Sequence, residues 1–84
     1  MIPAADRLRI ARAALEAYGR QLELAELAHR ELIHARAMPY DIDTAGERAG
    51  DLRAICAKLA RHAANLEREL AGSGRPADPE GGAR

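Results

Sequence analysis

Two apolar stripes at heptad spacing constrain this chain more than any other feature. The first runs Leu8, Ala11, Leu15, Tyr18, Leu22, Ala25, His29, Leu32, and the second Ala45, Ala49, Leu52, Cys56, Leu59, Ala63, Leu66, Leu70. Intervals of three and four in alternation line one face of a helix, whereas a strand would repeat every second residue. Only His29 breaks the apolar character of the first stripe. Composition agrees: Ala, Leu, Arg and Glu dominate, Val, Phe and Trp are absent, and Thr44 is the single threonine. These are helix formers rather than residues of a pleated sheet.

Between the stripes lies Met38-Pro39-Tyr40-Asp41-Ile42-Asp43. Proline disfavours helical geometry in the residue before it, so a first helix over 6–37 should stop there. Asp6 or Pro3 is suited to start it. Gly19 falls inside this run and costs about 1 kcal/mol relative to Ala. The stripe passes it without a change of phase, so one helix is a better reading than two helices broken at Gly19. Thr44 and Glu47 form a Thr-x-x-Glu capping box, which predicts a turn over 38–43 and a second helix over 44–71. Gly72-Ser73-Gly74 reads as its stop. The hairpin domain then spans 1–72. The remainder, 73–84, is rich in Pro, Gly and charge and reads as a disordered tail.

Helices of about 48 and 42 Å joined by a short connection favour an antiparallel hairpin. Charge placement points the same way. Arg7, Arg9 and Arg12 open the first run, while Glu67 and Glu69 close the second. Nearer the turn, Glu23, Glu26 and Glu31 should lie beside Arg48, Arg53 and Lys58. On the helix surface Glu16–Arg20 and Glu26–Arg30 are spaced for i,i+4 pairs.

An 84-residue chain without large aromatics has little apolar area to bury. At roughly 25 cal/mol per Å², such a core barely exceeds chain entropy. Disulfides within the chain are excluded, because Cys56 is the only cysteine. Association is another source of stability, and a second stripe offers a surface for it. On the first helix this stripe is Ile10, Ala14, Ala17, Leu24, Ala28 and Ala35. On the second it contains only small residues, Gly46, Gly50, Ala57, Ala60, Ala64 and Ala71. The expected architecture is all-α: an antiparallel two-helix hairpin, coiled-coil-like along its seam, assembling as a homodimeric four-helix bundle. The interface would use Ile10, Ala14, Ala17, Leu24, Ala28, Ala57, Ala60 and Ala64.

Chemistry is thinly represented. Glu26-Leu27-Ala28-His29 and Glu31-Leu32-Ile33-His34 both read Glu-x-x-His, a ligand spacing of four-helix di-iron proteins. His29 is on the seam but Glu26 is off it, and the seam stripe of the second run, Ala45 to Leu70, carries no carboxylate. Glu26 and His29 are therefore the metal candidates of a minor alternative, a metal-binding bundle. His62 reads as a surface residue. Cys56 reads as a small buried hydrophobe without the cationic setting of a reactive thiolate. The chain carries no phosphate-binding glycine loop, and no cofactor is implied. Thirteen basic and thirteen acidic residues give no net charge. That balance argues against a general nucleic-acid binder, leaving a nucleic-acid-binding helical dimer as the main alternative.

The sequence thus points to a small non-enzymatic module that binds another protein, as an adaptor, regulator or inhibitor. Its size and composition suit a bacterial or phage accessory protein. Leu27 and Ile33 lie outside both stripes, and Met38, Tyr40 and Ile42 cluster at the turn, so these five are the candidate partner contacts. One cysteine, no secretory segment and no apolar run of membrane-spanning length suggest a cytoplasmic setting.

Overall fold

A computed structural model describes residues 2–73 as two helices packed against each other. Helix α1 covers Ala4–His34 and α2 covers Pro39–Ser73. Pro3, extended at φ −60° and ψ 152°, precedes α1, and its carbonyl accepts the Arg7 N–H at 3.0 Å. The start therefore falls at Pro3 rather than Asp6. Asp6 sits in the first turn, where its charge suits the helix dipole, and it accepts from Arg9 at 2.9 Å. The helix continues unbroken through Gly19.

The reversal is tighter than the sequence suggests. Helix α1 ends at His34, three residues before the expected 37, because Arg36 adopts a left-handed conformation with φ 58°. The Arg36 N–H donates to the Ile33 carbonyl at 3.1 Å and the Ala37 N–H to the Leu32 carbonyl at 3.0 Å. These two bonds make a Schellman motif, which satisfies carbonyls that a helix end leaves open. A glycine would take this position without strain; arginine does so against a cost of about 1 kcal/mol.

The expected turn over 38–43 is largely helix. Proline fits the first position of a helix, where its missing N–H has no partner to lose and its fixed φ is already helical. Pro39 takes that position, and the Met38 carbonyl accepts the N–H groups of Asp41 and Ile42 at 2.9 and 3.1 Å. Thr44 consequently lies inside α2, and Thr44-x-x-Glu47 caps nothing. The cue for a start was present, one turn further upstream. At the other end α2 runs through Gly72 to Ser73. The tail predicted over 73–84 lies, from residue 74 onward, outside the described residues.

The seam holds two buried clusters. Leu8, Ala11, Ala63 and Leu66 meet near the chain ends, with Ala4 and Leu70 against them. Ala25, Ala49 and Leu52 meet near the turn, with Leu22 beside them. Between the clusters Leu15, Cys56 and Leu59 are half-buried and Tyr18 is more open. Leu66 is the most enclosed large side chain, at 1% exposure. No buried polar or charged side chain interrupts the seam among the described residues.

Candidate functional site

A two-helix ribbon has two flanks beside its seam, and here they differ. On one flank Arg12 reaches across to Glu67, and the Arg53 guanidinium donates to Glu26 at 2.8 Å. Both are contacts the antiparallel charge pattern anticipated. Glu26 turns to Arg53 rather than to Arg30 on its own helix, whereas Glu16 and Arg20 do approach within 3.8 Å. Heptad spacing places Gly46 and Ala60 in line with Arg53 and Glu67, with Gly50, Ala57 and Ala64 alongside. The small-residue stripe of α2 thus belongs to the ion-paired flank.

His29 leans onto this same flank. A Cβ on Gly46 would sit 3.1 Å from His29 Nε2, so the imidazole rests directly over that glycine. The absence of a side chain at 46 lets a half-buried histidine occupy a seam position near the turn. Glu26 and His29, the metal candidates, thus each have another role: one in a cross-helix ion pair, one packed on Gly46. Among the described residues no three His, Cys, Asp or Glu side chains converge as metal ligands would.

On the opposite flank the α1 side is largely apolar and open, while the α2 side carries Arg48, His62 and Glu69 around Ile55. One shallow groove there is lined by Ile2, Arg7, Ile10, Ala11, Ala14, Leu59 and His62. A second, nearer the turn, is lined by Gln21, Leu24, Ala28, Ala45 and Arg48. Ile55 borders a third on the α2 side, whose other walls are mostly polar: Thr44, Glu47, Arg48 and Asp51. Ile10 is 56% exposed and Leu24 67%. The predicted interface residues therefore divide. Ile10, Ala14, Ala17, Leu24 and Ala28 share this flank, while Ala57, Ala60 and Ala64 lie on the other. A single flat partner surface cannot cover both groups.

The turn end carries a separate patch. Met38 and Tyr40 are 69% and 77% exposed, and Ile33 and Leu27 are also open, whereas Ile42 is half-buried. Leu27 is on the back of α1, away from the turn, so the five candidate contacts do not form one surface. Ile2 and Ile55 are exposed apolar residues that the sequence reading did not single out. Ile55 lies three residues after Leu52 and one before Cys56, and the heptad phase already set it beside the seam.

No described helix is long and apolar enough to cross a membrane. No protein-family model matches the chain, and comparisons with curated proteins and with solved structures each give no match.

Proposed function

We propose that this chain is a small non-enzymatic protein-binding module, an adaptor, regulator or inhibitor that acts through a rigid helical surface, and that two copies associate as a four-helix bundle. The observation that carries this reading is the open apolar flank. Ile10 and Leu24 stand more than half exposed along one side of α1, with Ile2 and Ile55 nearby. Large apolar groups held in water along a helix face favour association, at roughly 25 cal/mol per Å² covered. The grooves of this flank are shallow and open, lined chiefly by aliphatic side chains, which suits docking of another helix better than enclosure of a small substrate. Met38 and Tyr40 at the turn supply a second contact patch for a different protein, distinct from the flank that two copies would share.

The test has two arms. Sedimentation equilibrium at micromolar concentration should give a dimer for the wild-type chain. Affinity capture with the purified dimer should recover a defined protein, and Tyr40→Ala should weaken that capture without altering the dimer. Salt-sensitive retention on nucleic acid in place of protein capture would replace this reading with the nucleic-acid alternative.

A further inference from the structure

The apolar flank of α1 is complementary to itself when reversed. Written against a second copy in the opposite direction about the level of Gly19, it sets Arg7 opposite Glu31, Ile10 opposite Ala28, Ala14 opposite Leu24, and Ala17 opposite Gln21. At the three inner levels a larger side chain meets an alanine, and at both ends a cation meets an anion. We infer that α1 of two copies pairs antiparallel along this flank, with the two-fold axis at the level of Gly19. This rests on the self-association proposed above and adds its face, direction and register.

Three observations support it. First, the large members of the pattern are the ones left in water, Ile10 at 56% and Leu24 at 67% exposure. Each faces an alanine across the axis, so both can be buried without two large side chains competing for one space. Second, Arg7 and Glu31 have no ion-pair partner among the described residues, whereas Arg12, Glu26, Arg53 and Glu67 are already paired on the other flank. The reversed register gives each of them a partner, twice per dimer, as an isologous interface requires. Third, the competing two-fold arrangement lays α1 against α2 of the second copy. That would set Ile10 and Leu24 against a side of α2 carrying Arg48, Asp51, Lys58, His62 and Glu69, where Ile55 is the large apolar residue. The self-paired flank lies roughly a quarter turn around α1 from the seam, which is the placement of adjacent helices in a four-helix bundle. From Arg7 to Glu31 it extends for about 36 Å.

Cysteine trapping reads the register. In a Cys56→Ala background, Ala14→Cys and Leu24→Cys are made separately, then mixed and oxidised. The mixture should form a disulfide-linked heterodimer. Either variant alone should cross-link poorly, because residue 14 and its own copy are about 15 Å apart along the axis. Charge exchange reads the direction. Glu31→Arg or Arg7→Glu alone should raise the dimer dissociation constant by about three- to tenfold, and the double variant should restore it. A wild-type dimer with no mixed disulfide, or with Ala14→Cys linking to itself as readily, overturns the register and leaves the dimer standing. A wild-type chain that stays monomeric at micromolar concentration overturns both. Failure of the double charge variant to recover affinity overturns the antiparallel direction.

Discussion

The two flanks of the hairpin share one seam and the same abundance of alanine, yet they place opposite demands on the solvent. The flank with Arg12–Glu67 and Glu26–Arg53 is closed electrostatically and, apart from Ile33 near the turn, lined by small and charged residues, so it has less to gain from a partner. The flank with Ile10, Leu24 and Ile55 has large side chains in water and an unpaired charge at each end of its α1 stripe. A stripe of small residues therefore says nothing by itself about association. What separates the flanks is where a few large residues and a few charges fall.

The comparison can be broken or sharpened by substitution. Leu66→Ala should have the largest effect, because the seam supports both flanks. Removing the most enclosed leucine should lower unfolding free energy by about 2–5 kcal/mol, read from the urea midpoint. An unchanged midpoint would mean the seam is not what holds the helices together. Leu24→Lys should come next, raising the dimer dissociation constant at least about tenfold, or 1.4 kcal/mol. Ala60→Lys on the other flank should leave that constant unaltered in the same sedimentation experiment. Equal effects would erase the distinction between the flanks.

A smaller contrast lies within the ion-paired flank. A Cβ on Gly50 meets open space, so Gly50→Ala should stabilise by about 1 kcal/mol through helix propensity, with no change in self-association. Gly46→Ala should yield less, because the new methyl must displace the His29 imidazole. Thermal melts of the two variants side by side read the difference. The smallest effect belongs to Arg53→Gln. Losing its exposed bond to Glu26 should cost about 0.2–1 kcal/mol at low salt, and the cost should vanish near 1 M salt, where the screening length is about 3 Å. A salt-independent loss would show that Arg53 acts by packing instead.

Much of this arrangement is legible in the residues alone. Heptad spacing is a direct consequence of helix geometry, so the seam from Leu8 to Leu32 and from Ala45 to Leu70 could be written down from the residues. Charge order gave the antiparallel direction and anticipated the pairs at Arg12 and Glu26. The boundaries were less legible for a specific reason. Pro39 carries two signals, a stop for the preceding residue and a start for its own helix, and α2 begins on the second. Arg36 carries no local mark of a left-handed residue, so the end of α1 could not be placed from composition. The assignment of stripes to flanks was hidden differently. Each helix has two sides, and deciding which sides come together requires knowing which positions cross the seam. The Arg12–Glu67 and Glu26–Arg53 contacts supply that knowledge.

The division of the seam into two clusters has a kinetic consequence. Joining Ala25 to Ala49 and Leu52 closes roughly half as much chain as joining Leu8 and Ala11 to Ala63 and Leu66, and each doubling of a closed loop costs about 0.6 kcal/mol of entropy. The turn-end cluster should therefore assemble first and the open end follow, in the manner of a zipper started at Arg36 and Pro39. In a chevron analysis Leu52→Ala should then act mainly on the folding arm, and Leu66→Ala mainly on the unfolding arm.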